Sequence, residues 1–169
     1  MNIFVLDRTT KYAARYHCDK HVVKMAVEGV QMLVGVLQRY GVEHDVRTKA
    51  GHLHRGGYYN HPCTRWAGDS YQNFWWLLML TMELCHEHTY RFGTVPYSVV
   101  QVARVHSAHR VVKDGMLAEG LGLAKTPHVL DMPQEYHNED PVAAYRAYYM
   151  GEKRHMAKWT KRPQPPWWQ

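Results

Sequence analysis

Apolar and polar positions divide the chain into a few long periodic stretches separated by glycine- and proline-rich punctuation. The opening MNIFVLD is mostly apolar and is expected to form a short, extended, buried segment. Tyr12 to Tyr40 contains no proline and is periodic, which predicts one long helix ending at Gly41. Residues 41–60 are polar and rich in glycine and histidine, and are expected to form a long mobile loop. A second long helix is expected over HPCTRWAGDSYQNFWWLLMLTMELCHEHTYRFG, with Pro62 in its first turn and Gly93 at its end. VPYSVVQVARVHSAHRVVKDG suggests a third helix, and LAKTPHVLDMPQEYHNED a proline-broken loop. Asp140 as N-cap and Pro141 at the first position open a last helix. Residues 160–169 are expected to be an extended tail. No repeat and no second domain is visible. The expected fold is a mainly α, single compact helical domain over residues 1–169, built around the long N-terminal helix.

The first helix carries the densest pattern. At about 100° per residue, His17, Lys20, His21, Lys24, Glu28, Gln31 and Arg39 share one narrow stripe, and most of the remaining circumference is apolar. An ordinary surface helix has a broader polar face. This one should run through the core, with its stripe facing water, a cleft or buried partners. Asp19 projects on the apolar side, where Arg15, one turn earlier, could pair with it. A solvated stripe with a structural Arg15–Asp19 pair accounts for the same residues without any chemistry.

Composition narrows the function classes. Hydrophobic residues make up 46% of 169 residues, enough for a core. The longest apolar run is about a dozen residues and includes Glu83, short of the ~20 a membrane span needs. No leader pattern is visible at the N-terminus, so a cytoplasmic location is expected. Three cysteines in such a compartment are expected to be reduced. The net charge of +6, with 13 histidines besides, makes a polyanion a plausible partner.

Two further clusters bear on that partner. In YYNHPCTRWA, Asn60 or His61 can cap a helix. Asn60, His61 and Arg65 also suit a phosphate beside free N–H groups. In the stretch Tyr145 to Trp168, aromatics alternate with Lys153, Arg154, Lys158, Lys161 and Arg162. Tyr148, Tyr149 and Trp159 could stack on bases while the cations meet phosphates. LCHEH suggests metal ligands, but no C-x-x-C or H-E-x-x-H spacing supports them. Neither a metal nor a cofactor is expected.

The motifs MNIFVLD, YHCDKHVVKM, NHPCTRWA, CHEHTYRFG and DPVAAYRAYYMGEKRHMAKW together resemble a family of small proteins common in tailed phages. The resemblance covers nearly the whole chain. In layout the chain is also similar to the phage pyrimidine-dimer DNA glycosylases of the endonuclease V type. That similarity implies a compact, basic, all-α enzyme that attacks the sugar with an N-terminal amine and breaks the strand through an imine. Two departures stand out. Those enzymes carry a small residue after the initiator methionine, whereas Asn2 follows Met1 here. The helical position expected for their glutamate is held by Lys20 or Lys24.

The expected function is therefore DNA base processing, as a glycosylase/lyase acting on damaged or modified pyrimidines in double-stranded DNA with a flipped base. Lys24 or Lys20 would be the amine nucleophile, with Met1 as the third candidate, and His17 and His21 would tune its environment. Asp19 or Glu28 would stabilise the cationic sugar or move protons. Asn60, His61, Arg65, Tyr148, Tyr149, Lys153, Arg154, Lys158 and Trp159 would bind the nucleic acid. The rival readings are a transferase that decorates hypermodified phage bases, a small basic DNA- or protein-binding phage module, and a metal-dependent nuclease.

Overall fold

The centre of the fold is a helix crossing that only a glycine permits. Helix α2 (Asp19–Arg39) lies against α4 (Tyr71–Phe92) so closely that a Cβ on Gly29 would fall 2.3 Å from Thr81 Oγ1. Around this pair, a computed structural model of all residues from Met1 to Gln169 places α1 (Thr10–Tyr16), α3 (Pro62–Gly68), α5 (Ser98–Ser107), α6 (His109–Ala118) and α7 (Pro141–Glu152). There are no strands; the nearest approach is an isolated antiparallel bridge between Arg47 and Leu53. The chain is a single, mainly helical domain with one apolar core. That core runs from Leu6 through Leu33 and Leu37 to Leu78, Val105, Val112 and Tyr145. No helix is long and apolar enough to cross a membrane.

Each of the three long helices expected from the sequence is interrupted once. The first breaks at His17 and Cys18, both extended. The break leaves orphan carbonyls at the end of α1, and Arg91 of α4 satisfies them, donating to Arg15 O and His17 O at 2.8 Å each. The second breaks at Asp69, where Ser70 caps α4 by accepting from the Asn73 N–H at 3.2 Å. The third breaks at Ala108 between α5 and α6. Elsewhere the punctuation acts as expected. Pro62 opens α3, His61 rather than Asn60 caps it, and Asp140 caps α7. Gly93 closes α4 at φ 71°, a left-handed conformation that costs glycine little.

The N-terminal segment is extended and buried, with Ile3, Phe4, Val5 and Leu6 all in the core. Phe4 stacks on His21 of α2 and meets Tyr145 and Tyr149 of α7 edge-on. Arg146 of α7 donates to Leu6 O at 2.9 Å. The start of the chain is thus wedged between α2 and α7. The C-terminal tail returns across the same helices: Trp159 is buried, and its indole N–H donates to Tyr16 O at 3.0 Å.

Candidate active site

The wedged N-terminus brings an amine to the polar stripe of α2. The α-nitrogen of Met1 lies 3.9 Å from Glu28 Oε2. One turn earlier, Lys24 Nζ lies 3.5 Å from the other carboxylate oxygen. Glu28 Oε2 is buried and has no hydrogen-bond partner. The Met1 side chain is 1% exposed and its sulfur accepts from Thr64 Oγ1 at 3.8 Å, yet the residue as a whole is half-buried. What Met1 presents to its surroundings is therefore its main chain. These groups line a cleft of about 140 Å³ together with Asn2, Phe4, His21, Met25, Tyr148 and Lys153.

His21 adds an imidazole of fixed orientation. The Tyr149 hydroxyl accepts from the Cys18 N–H at 2.9 Å and shares a hydrogen bond with His21 Nδ1 at 2.8 Å, which holds the ring with its Nε2 edge unclaimed by Tyr149. Burial, joined by the positive charges of Lys153, Lys24 and neighbouring histidines, pulls its pKa down to about 3. At neutral pH His21 is an uncharged imidazole at the cleft wall.

The other expected residues are distributed differently. His17 is fully buried. Its Nδ1 donates to Ala13 O at 2.7 Å, its Nε2 has no partner, and burial lowers its pKa to about 4. Lys20 is exposed and does not line the cleft. Asp19 does not pair with Arg15; it takes Arg91 at 3.1 Å and both the backbone N–H and the hydroxyl of Thr160, at 2.9 and 2.7 Å. Burial opposes its ionisation, but the Thr160 and Arg91 hydrogen bonds outweigh this and hold its carboxyl below the usual range. Glu87 joins the same network, with Arg91 and a two-pronged contact from Arg162. Asp19 thus ties the tail to α4, away from the cleft.

Tyr149 and Trp159 are buried with their polar atoms engaged, so neither ring has a free face for a base. Tyr148 is half-buried, with Lys153 Nζ 4.8 Å from its ring centre, and both sit in the cleft. Arg154 and Lys158 are exposed along the tail. Asn60 and Arg65 are exposed and line a separate hollow of about 570 Å³ with Arg39, Gln38, Tyr59 and Thr64. Thr64 also touches Met1, so this hollow adjoins the amine cleft through one side chain.

His61 turns away from that hollow. Its Nε2 lies 3.4 Å from Asp131 Oδ2, and its Nδ1 accepts from the Cys63 N–H at 3.2 Å. With Cys63 Sγ these side chains form a group whose ligand-type atoms all lie within 4.8 Å of one another. A metal there would need the Nε2 lone pair. The cap to Cys63 already occupies Nδ1, which places the proton on Nε2 and directs it at Asp131. The group is coherent as a hydrogen-bonded support beneath Asn2. The LCHEH histidines do not converge: His86 is exposed and His88 is paired with Thr94 O.

Sequence reasoning assigned no role to Asn2, Asp131 or Tyr145; Asn2 donates to Asp131 O at 2.7 Å and accepts from the Tyr145 hydroxyl at 2.9 Å. Arg91 is a further omission, although Glu87 and Arg91, one turn apart on α4, were a visible signal.

No curated protein and no solved structure matches the chain. Residues 1–95, which include Met1 and the whole of α1, α2, α3 and α4, match the family described as pyrimidine dimer DNA glycosylase. The match covers more than half of the chain, and the protein belongs to that family.

Proposed function

We propose that the protein is a glycosylase/lyase that excises dimerised or otherwise damaged pyrimidines from double-stranded DNA, with the α-amine of Met1 as nucleophile. The observation that carries this reading is the approach of that amine to the buried, unpartnered oxygen of Glu28. Lys24 meets the same carboxylate, but its side chain is 62% exposed on a flexible stem. The Met1 amine heads an anchored segment and is far better placed for a defined attack.

The amine nitrogen forms a bond to C1′ of the damaged nucleotide while the C1′–base bond breaks. The bond pair leaves with the base, which takes up a proton. As a carboxylate Glu28 stabilises the cationic sugar while the base departs, and it then accepts the proton that the amine nitrogen sheds once bonded to C1′. Opening of the sugar ring then gives an imine, from which the 3′ phosphate can be eliminated. His21, neutral and oriented, offers an N–H to the departing base or the sugar oxygen. Lys24, Lys153 and Tyr148 at the rim, and Arg65 and Asn60 in the adjoining hollow, suit the phosphates and bases around a flipped nucleotide.

The test is borohydride trapping on ultraviolet-irradiated duplex DNA, followed by peptide mass mapping. The expected product is a covalent DNA adduct on Met1. An adduct on Lys24 moves the nucleophile. A modified nucleoside without an adduct indicates the transferase reading, and binding without covalent change indicates a non-enzymatic module.

A further inference from the structure

One side chain holds the segment that ends in the Met1 amine. Asn2 is 8% exposed, and both ends of its amide are hydrogen-bonded. Its Nδ2 donates to Asp131 O at 2.7 Å, and its Oδ1 accepts from the Ile3 N–H at 2.7 Å and the Tyr145 hydroxyl at 2.9 Å. Cys63 Sγ, 3.8 Å from the same oxygen, adds a weak donor. The partners come from α3, α7 and the loop before α7, so residue 2 is fixed to three separate parts of the fold. On the other side of the amine, the Met1 thioether rests on Thr64. A chain terminus ordinarily frays; this one is pinned on both sides.

We propose that Asn2 is a positioning residue: its amide, locked by Asp131, Tyr145 and Ile3, sets the Met1 α-amine against Glu28. The proposal rests on the reading of that amine as the nucleophile. The site demands an amide in particular. Aspartate would set an oxygen against the Asp131 carbonyl and place an anion one residue from the amine. Leucine fills a similar volume and offers no hydrogen bond. Loss of Asn2 need not unfold the site, because the Tyr145 hydroxyl has a second acceptor in Val129 O at 2.8 Å.

The experiment uses Asn2→Leu and Asn2→Asp, since a small residue at position 2 would invite removal of Met1. Intact mass checks that each variant keeps its methionine. Single-turnover trapping on irradiated duplex DNA is measured beside DNA affinity and thermal melts. Asn2→Leu is expected to trap about 10²-fold more slowly, the scale of an ångström-level misplacement, with DNA affinity and melting temperature largely kept. Asn2→Asp is expected to shift the rise of the pH–rate profile to higher pH, because the added carboxylate favours the ammonium. A wild-type rate in Asn2→Leu, or a loss no larger than its loss of folded protein, overturns the positioning role while the nucleophile reading stands. Absence of a Met1 adduct in the wild-type protein overturns the nucleophile reading, and the positioning role with it.

Discussion

Glu28 Oε2 lies 3.9 Å from the α-nitrogen of Met1, enclosed and with no hydrogen bond of its own. A buried carboxylate oxygen without a partner is costly to maintain. Under the proposed mechanism its neighbour is a group that must lose a proton to react, and that role would give the arrangement a chemical reason.

Glu28→Gln keeps the shape of the side chain and removes the proton acceptor. The expected loss of glycosylase rate is about 10²–10⁴-fold. Stability should change little, since the lost charge makes no hydrogen bond to the fold. Single-turnover rates alongside denaturant melts measure both. Full activity in the variant would remove Glu28 from the chemistry.

Lys24→Ala separates the two amines that meet at Glu28. The Lys24 side chain is 62% exposed, so the variant should fold normally. If Lys24 serves as a phosphate contact at the rim, the variant still forms a Met1 adduct, DNA binding weakens, and the log–log salt slope falls by about one. Blocking the α-amine of Met1, in contrast, should abolish trapping. A lysine variant that binds normally yet forms no adduct would return the nucleophile to Lys24.

The helical stripe that presents His21, Lys24 and Glu28 was legible from periodicity, because one helix fixes which residues share a face. The ends of α7 and α4 were legible for a similar reason: Asp140, Pro141 and Gly93 act locally. The break at His17 was not, since it depends on a guanidinium 74 residues away. Asn2 was read only as a departure from the small residue expected after the initiator methionine, because its partners Asp131 and Tyr145 lie 129 and 143 residues further on. The alternation of aromatics and cations near the C-terminus suggested stacking by Tyr148, Tyr149 and Trp159. Composition could not reveal that the last two rings are spent on the core. The carboxylate near the amine is Glu28, one turn beyond Lys24.

Two buried histidines, His17 and His21, and the half-buried His128 make the fold sensitive to mild acid. Burial lowers His17 to about 4, and His21 and His128 to about 3. In the unfolded chain each titrates near ~6.5. Their depressed values mean that the unfolded state binds more protons than the folded state as soon as pH falls below the unfolded value. Stability is therefore complete above about pH 6.5 and declines as pH falls from there toward 4 and 3. Asp19 and Glu87, also held low, extend the loss below the ordinary carboxylate range. Urea midpoints at pH 7.5 and 5.5 check this, and equal midpoints would contradict it.

Arg91 holds the break between α1 and α2 together, and its removal should show that Asp19 belongs to the fold and not to the reaction. The guanidinium is 2% exposed and donates to four acceptors: Arg15 O, His17 O, Asp19 Oδ1 and Glu87 Oε1. Arg91→Met leaves two carbonyls and part of two buried carboxylates unpaired. Arg162 still covers Glu87, and Thr160 still covers Asp19, so the loss falls short of exposing bare charges. Breaking a buried pair from one side costs about 3–5 kcal/mol, a fall in Tm on the order of 10 °C for a chain of this size. Arg91→Lys should rescue little, because an ammonium cannot span the same fork of acceptors. Asp19→Asn should lower Tm in the same direction while leaving the trapping rate per folded molecule unchanged. An Asp19→Asn protein that melts normally but no longer traps would place that carboxylate in the reaction instead.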